Sequence, residues 1–383
     1  MQIKAVYGIM EMEVNSYLLV VTKASLIGQI YGRKVFQVQK MEYFCLAAEE
    51  SPRDKKYLKG LDALFSTKYW YFSDEYDLTS SLQQFVGNGY SLKNKRLEYM
   101  YNADWIDEFV KLKAYEWITG FISGYINIGF THVGTEAYDV ALLTRRDRRR
   151  QGKRWITRGA DLDGNAANTA ESEVIIQTEH GNRKHIFAHV QLRGSMPFLW
   201  RQMPDLKWSP RVAIGSNDQL NCGVMKKNYD DLHRSYENCA LLNLVDKKGQ
   251  QGKLGEYFEK VHRNVDDPSM RLVWFDFHAE CKNMKYENLS KLLDLVNHEL
   301  DNYGYFYVEM PKDKEAAAAA ERERPAKKNT QKGIFRTNCM DCLDRTNVVQ
   351  SVIARQLILA WLNKIGVITK RTTSAFERLP DNL

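Results

Sequence analysis

The feature that most constrains this chain is a twelve-residue stretch near its end, RTNCMDCLDRTN, at residues 336–347. A short β-rich run, IFRT, leads into it, and the run NVVQSVIARQLILAWLNK overlaps its end and continues beyond it. In that second run apolar residues recur at i, i+3 and i+4 spacing, which predicts a core helix ending before Gly366. The residues of its predicted buried face are Val349, Val352, Ile353, Leu357, Ala360 and Trp361. The stretch is therefore predicted to be a loop between a strand and the N-terminus of a core helix.

A loop in this position is suited to phosphate chemistry. Helix N-termini present free N–H groups and partial positive charge, which favour a bound anion and a thiolate. Cys339 and Arg345 are separated by five residues, enough to surround a tetrahedral oxyanion. We expect Cys339 to attack phosphorus, Arg345 to bind two phosphate oxygens and Thr346 to donate to the thiolate. The predicted phosphate-binding residues are Met340, Asp341, Cys342, Leu343, Asp344 and Arg345. This chemistry needs no metal and no cofactor.

Two carboxyl groups of the same loop, Asp341 and Asp344, are candidates for the general acid that protonates the leaving oxygen. An anion beside a bound phosphate is disfavoured, so one of them is expected to hold a proton. Spacing does not decide between them. Either could instead brace the loop or Arg345.

Other chemistries are open to the same cysteines. The pairs H-x2-C at 278–281 and C-x2-C at 339–342 have the spacing of a zinc site, but zinc leaves Arg345 without a role and beside a cation. Reversible oxidation joining Cys339 to Cys342 stays a hypothesis. His278 near Asp276 suggests a general base, although VWFDFH is better interpreted as a core strand with polar residues at its end.

The loop resembles the signature of the Sac-domain phosphoinositide phosphatases, R-x-N-C-x-D-C-L-D-R-T-N, at every fixed position. Further blocks resemble the same family in the same order, and the likeness covers most of residues 7–365. These blocks are YFSDEYDLTSSLQ (71–83), the arginine-rich block 142–173, VQLRGSMPFLW (190–200) and FDFHAECKNM (275–284). The family members that the chain most resembles belong to the endoplasmic reticulum and the Golgi.

The resemblance implies a hydrolase of lipid metabolism that removes phosphate from phosphoinositide headgroups through a cysteinyl-phosphate. It implies phosphatidylinositol 4-phosphate first, then the 3-phosphate and the 3,5-bisphosphate. It also implies membrane trafficking, the cytoplasmic face of the reticulum and Golgi membranes, and trafficking adaptor proteins as partners. A shorter likeness to the myotubularin lipid phosphatases favours Asp344 as the acid, with Asp341 as its rival. The alternative is a catalytically weak module on a phosphatase fold that binds lipid or protein.

The basic run at residues 145–158 has three interpretations. It contains eight Lys and Arg residues and a single acidic residue, Asp147. It could be a solvated face, or a surface for an anionic membrane at about 1 kcal/mol per basic residue. The candidates for lipid contact are Arg145, Arg146, Arg148, Arg149, Arg150 and Arg158. By the resemblance, Arg150 and Arg158 instead line or brace the active site. No recognition-helix motif favours nucleic acid as a partner.

The length of 383 residues and the order of predicted elements favour two domains. We predict a mostly β N-terminal module at 1–118 and an α/β catalytic domain at 119–383 with a central sheet flanked by helices. Residues 311–333, rich in alanine and charge, are predicted to be a low-complexity, non-catalytic loop. Family members extend further at both ends, so we expect a trimmed N-terminal module and a truncated C-terminal end.

Composition limits where the chain works. Six cysteines over this length predict a reducing compartment, and the net charge of +7 is compatible with anionic partners. No run approaches the ~20 apolar residues of a membrane span, which predicts a soluble chain.

Overall fold

The computed structural model describes residues 2–89, 91, 95–133, 135–153, 156–202, 211–312, 327–341 and 344–368. The chain forms two compact units, one of residues 1–130 with 139–148, the other of 131–138 with 149–383. The first unit thus takes in most of the two strands that follow residue 118. The domain boundary at 118 stays a prediction.

The first unit is built on a sheet with the strand order β1-β2-β3-β4-β5-β6. The strands are β1 (Ala5–Glu11), β2 (Ser16–Ile30), β3 (Arg33–Cys45), β4 (Trp70–Phe72), β5 (Phe121–Val133) and β6 (Glu136–Arg146). The β-rich runs SYLLVVT (16–22) and SLIGQIYG (25–32) predict two short strands, but β2 is one strand antiparallel to β3. Register shifts at Lys23 and before Gly28 mark bulges, which let the strand continue through the polar interruption.

The helices of the first unit are α1 (Asp54–Phe65), α2 (Leu82–Asn88) and α3 (Asp107–Lys111). The polar segments near residues 50–66 and 78–86 are helix-like in sequence, and α1 and α2 confirm this prediction. Ser81 and Gln84 form a capping box at the start of α2, so the side chain of each satisfies a backbone N–H of the other. In the core, the ring of Tyr7 packs against Phe65 and Phe121 at centroid distances of 5.1 and 4.8 Å.

The second unit has a mixed sheet with the strand order β7-β8-β15-β11-β12. Its strands are β7 (Ala170–His180), β8 (Arg183–Arg193), β11 (Asn238–Asn243), β12 (Met270–Trp274), β13 (Phe306–Pro311), β14 (Lys327–Asn329) and β15 (Gly333–Asn338), with a separate pair, β9 (Trp200–Gln202) and β10 (Val212–Ile214). Strands β8, β15, β11 and β12 run parallel to one another. Their carboxyl ends therefore lie at one edge of the sheet.

Helices cover both faces of this sheet, so the predicted α/β fold is confirmed. They are α4 (Asp218–Ser235), α5 (Gly249–Val265), α6 (Phe277–Glu280), α7 (Leu289–Leu295), α8 (Asn297–Tyr303) and α9 (Asp344–Lys364). Ile334 belongs to the core formed with α4 and α5, while the next residue, Phe335, meets the ring of Tyr303 in α8. Strand β15 is buried on both faces, as is usual for a parallel strand. Gly333 is required there, because a Cβ would lie 2.4 Å from the Tyr303 ring.

Two predicted elements of the second unit were wrong in detail. The sequence NLSKLLDLVNHEL (288–300) predicts one helix, but Val296 leaves the helical region at φ −113° and separates α7 from α8. The expected strand VWFDFH ends at Trp274, because Asp276 accepts a hydrogen bond from the N–H of Ala279 and so begins α6.

Part of the predicted low-complexity loop lies outside the described residues, at 313–326. The described part is ordered: β14 pairs with β13, and the side-chain amide of Gln331 donates to Val190 O and accepts from Val190 N. This amide reproduces the pairing of a strand residue. The segment leading to the RTNCMDCLDRTN loop is thereby fixed to β8.

Candidate active site

The RTNCMDCLDRTN loop lies at the carboxyl edge of the second sheet. β15 ends at Asn338, Cys339 follows at once, and α9 begins at Asp344. This confirms the predicted order of strand, loop and helix, the position where open α/β sheets place ligand sites. Cys339 is 3% exposed. Cys342 and Leu343 lie outside the described residues, as do any contacts of their predicted phosphate-binding amides.

A pair of buried asparagines lies directly before the loop. Asn338 Nδ2 donates to Asn243 Oδ1 at 2.9 Å, and the N–H of Leu244 donates to Asn338 O at 2.9 Å. These hydrogen bonds hold the end of β15 against the end of β11, which fixes the backbone position at which Cys339 follows. Asn243 was not predicted from the sequence. The feature that could have indicated it is a polar residue at the end of the apolar run CALLN.

Arg345, in the first turn of α9, is held by residues that follow β11. Its Nη1 donates to Leu244 O at 2.9 Å and to Gln251 Oε1 at 3.1 Å, and lies 3.2 Å from Asp246 Oδ1. His278 Nδ1 lies 2.9 Å from the same Asp246 oxygen. Sequence reasoning missed Asp246 and Gln251, because nothing in the run LVDKKGQQ announces a contact with an arginine about a hundred residues away.

Arg158 connects the basic run to the loop. Its side chain is almost fully buried and forms an ion pair with Asp341. It also donates to Met340 O at 2.7 Å, while Arg150 Nη2 donates to Arg158 O at 3.1 Å. The structure therefore places Arg158 against the loop, with Arg150 hydrogen-bonded to Arg158. That these two residues line or brace an active site stays a prediction.

The segment RGSMP (193–197), at the end of β8, is hydrogen-bonded to both ends of the same loop. Arg336 Nη2 donates to Ser195 O at 2.7 Å, and Ser195 Oγ accepts from the N–H of Gly159 at 2.9 Å. Arg193 Nη1 donates to Asn347 Oδ1 at 2.5 Å. The segment thus joins the strand before the loop, the first turn of α9 and the residue after Arg158.

Comparison with known proteins identifies the family of this chain. The SacI homology domain family model matches residues 4–282. The chain belongs to the SacI homology domain family.

Relatives of this SacI homology domain match nearly the whole chain. The chain is 32% identical to the phosphatidylinositol-3-phosphatase SAC1 of Drosophila melanogaster over 96% of its own length and 60% of the relative's. It is 32% identical to the phosphoinositide phosphatase SAC7 of Arabidopsis thaliana, covering 96% of this chain and 61% of that one. For phosphatidylinositol-3-phosphatase SAC1 of Saccharomyces cerevisiae the values are 30%, 97% and 60%. The chain spans about three fifths of the length of these relatives.

The other arginines of the basic run do not share one environment in this SacI homology domain. Arg145 is fully buried in the first unit, where Nε donates to Leu78 O at 2.6 Å and Nη2 to Ser80 O at 2.8 Å. The expectation of a lipid contact is wrong for Arg145, since a buried guanidinium has no surface to offer. Arg146 is exposed. Arg148 forms a two-point ion pair with Asp104, and Arg149 pairs with Asp231 at 2.9 Å.

The candidate acid, the candidate hydroxyl donor and two cysteines outside the loop differ in how exposed they are to solvent. Asp344 is exposed at the first position of α9, and Thr346, two residues further along, is fully buried. Burial raises the pKa of the Cys239 thiol to about 12, and it also raises the pKa of Cys281. Neither of these two thiols is therefore suited to nucleophilic attack.

Metal binding and membrane insertion find no support in the part of the chain that the structure describes. Within it, no group of three or more His, Cys, Asp or Glu is arranged to hold a metal ion. Cys342, which the zinc interpretation requires, lies outside that part of the chain. Nor does any helix of the described segments have the length and apolarity to cross a bilayer.

Proposed function

We propose that this chain hydrolyses phosphate monoesters on phosphoinositide headgroups. The observation that carries the proposal is the placement of Cys339 and Arg345 at one sheet edge, Cys339 at the end of β15 and Arg345 in the first turn of α9. A 21-residue helix directs its N-terminus at this loop, which favours a bound dianion. The names of the relatives, all phosphoinositide or phosphatidylinositol phosphatases, support the same class of substrate.

The proposed reaction has two displacements at phosphorus. The Cys339 thiolate attacks, the bond between phosphorus and the inositol oxygen breaks, and that oxygen takes a proton from a carboxylic acid of the loop. Water then attacks the cysteinyl-phosphate, the same carboxylate accepts a proton from the water, and inorganic phosphate leaves as the thiolate is restored. Arg345 and the loop N–H groups bind the phosphate oxygens throughout.

We assign the proton to Asp344. The carboxylate of Asp341 is occupied by the buried guanidinium of Arg158, which suits it to bracing the loop. Asp344 is exposed, on the side of the loop that leads into α9. The likeness to the myotubularin phosphatases supports the same choice.

Phosphatidylinositol 4-phosphate is proposed as the first substrate and the 3-phosphate as the second. The first follows from the resemblance to the reticulum and Golgi members of the family. The second is supported by the names of the Drosophila and Saccharomyces relatives, which specify the 3-phosphate. Anionic membranes, reticulum and Golgi location and adaptor proteins stay predictions.

The deciding experiment measures phosphate release from short-chain phosphoinositides, with all seven tested in parallel. We expect release from phosphatidylinositol 4-phosphate by the wild type and a loss of at least about 10³-fold in Cys339→Ser. Cys239→Ser is the matched control, because that thiol belongs to β11 and is fully buried in the core. Equal release by wild type and Cys339→Ser would overturn the proposal. Binding without turnover would establish the alternative module.

A second experiment assigns the acid. Asp344→Asn should lower kcat/KM on phosphatidylinositol 4-phosphate by about 10²–10⁴-fold. It should lower kcat/KM on p-nitrophenyl phosphate much less, because kcat/KM reports only the steps up to the cysteinyl-phosphate and nitrophenolate leaves without a proton. Asp341→Asn should lower both rates by similar factors, since it loosens the loop. The reverse pattern would transfer the role of acid to Asp341.

A further inference from the structure

We infer that Asp246 and Gln251 are positioning residues that hold one end of the Arg345 guanidinium so that its opposite edge faces the phosphate. The inference rests on the proposed function and deepens it. Both residues lie outside the RTNCMDCLDRTN loop, and among the described residues their hydrogen bonds to that loop go to Arg345.

The first support is that all contacts converge on one nitrogen. Leu244 O, Gln251 Oε1 and Asp246 Oδ1 all lie between 2.9 and 3.2 Å from Nη1 of Arg345. These acceptors come from the loop after β11 and the first turn of α5. Three acceptors on a single atom fix the plane of the guanidinium as well as its position.

The second support is that the acceptors fix each other. Gln251 Nε2 donates to Asp246 Oδ2 at 3.1 Å, and the N–H of Asp246 donates to Gln251 Oε1 at 3.3 Å. Both groups of the Gln251 amide are thus used, which determines its orientation. The backbone here is anchored too, because the N–H of Lys247 donates to Asp276 Oδ2 at 2.8 Å. The grip is therefore preformed before any ligand binds.

The third support is what the grip leaves available. Among the described residues, no hydrogen bond is made by Nε or Nη2 of Arg345. Nε and Nη2 form the side of the guanidinium that binds two oxygens of one anion in parallel. Because Asp246 contacts Nη1, its negative charge lies at the opposite end from this edge. The arrangement neutralises part of the arginine charge without occupying the phosphate-binding edge.

A preoriented arginine should act on phosphate binding and on the transition state alike. Displacing a positioned group by about 1 Å can cost about 10²-fold in rate. Asp246→Asn and Gln251→Ala should therefore each lower kcat/KM by about 10–100-fold on short-chain phosphatidylinositol 4-phosphate, and orthovanadate should bind more weakly by a similar factor.

The matched control is Asp218→Asn. Asp218 accepts hydrogen bonds from Tyr257 and Lys260 of α5, the helix that also carries Gln251, yet it has no contact with Arg345 among the described residues. We expect its activity and vanadate affinity to stay within about threefold of the wild type. Melting temperatures of all variants are recorded. If Asp246→Asn does not fold, Gln251→Ala alone tests the inference.

Coupling separates positioning from a general structural role. In an Arg345→Lys background, Asp246→Asn should change vanadate affinity by less than about threefold, because the group through which it acts is gone. An equal effect in both backgrounds would overturn the inference, and so would wild-type vanadate affinity in both Asp246→Asn and Gln251→Ala. Vanadate affinity is measured by calorimetry and needs no turnover. A wild type that releases no phosphate would therefore defeat the proposed function, while the calorimetry would still test the grip.

Discussion

The RTNCMDCLDRTN loop and the basic run 145–158 are the two most densely charged functional candidates in the sequence, and the fold treats them differently. The loop remains one site at one sheet edge, between β15 and α9. The run is divided: Arg145 is buried in the first unit, Arg158 is buried in the second, and Arg148 and Arg149 form partly exposed ion pairs. Charge density in sequence therefore did not correspond to one charged surface.

The reason lies in strand geometry and in the cost of burying charge. Successive side chains of a strand point to opposite faces, so Arg145 enters the core of its unit while Arg146, the next residue of β6, is exposed. A buried guanidinium must find acceptors close by, since leaving it unpaired is costly. Arg145 finds two backbone carbonyls and Arg158 finds a carboxylate of the loop.

Arg158→Met should lower both the stability and the activity of the protein. Removing one partner of a buried ion pair costs about 3–5 kcal/mol of unfolding free energy. Since Arg158 also holds Met340 O, the proposed phosphatase activity should fall by about 10²-fold in the protein that remains folded. Urea unfolding and phosphate release measure the two effects. Full activity per folded molecule would show that Arg158 braces the fold alone.

Arg145→Met should separate the two ends of the run. The carbonyls of Leu78 and Ser80 lose a charged donor, and we expect a loss of about 2–3 kcal/mol of unfolding free energy. Activity per folded molecule should stay within about twofold of the wild type, in contrast to Arg158→Met. A tenfold fall in activity would mean that the two buried arginines do not differ as their contacts indicate.

His189, on β8 of the second unit, should make the free energy of unfolding depend on pH. Burial lowers the pKa of His189 to about 3, and the backbone of Gly304 offsets this only in part. Below the unfolded pKa of about 6.5 the unfolded chain binds a proton that the folded chain refuses, so unfolding free energy decreases as pH falls from 6.5 toward 3. At pH 5 the loss is about 2 kcal/mol. The free energy of unfolding in urea is measured at pH 7.5 and at pH 5. The difference between these two values should be smaller by that amount in His189→Leu than in the wild type. An unchanged difference would mean that His189 is protonated in the folded state.

The smallest expected effect concerns the exposed part of the run. Arg146→Gln should weaken binding to phosphatidylserine vesicles by about fivefold, corresponding to about 1 kcal/mol for one basic residue near an anionic surface. The control is Lys260→Gln, which removes an exposed cation outside the run. Flotation measures both. Equal loss in the two variants would show that total charge, rather than this stretch, draws the chain to the membrane.

Local sequence was sufficient to predict the buried face of a regular helix. The apolar spacing of α9 correctly placed Val349, Ile353, Leu357 and Trp361 on the buried face, although Ala360 proved exposed. The same logic failed at β2 and at Val296, where bulges and a backbone break are set by neighbouring strands and helices rather than by propensity.

The family, the α/β class and a loop between a strand and a helix, with five residues between Cys339 and Arg345, were predictable from sequence alone. The distant groups that hold that loop could be identified only from the fold. Asn243, Asp246 and Gln251 lie at or after the end of β11 and meet the loop because parallel strands bring their carboxyl ends to one edge, whereas Arg158 comes from the segment before β7. Such meetings depend on strand order and register, which pair residues far apart in the chain and leave no local pattern in sequence.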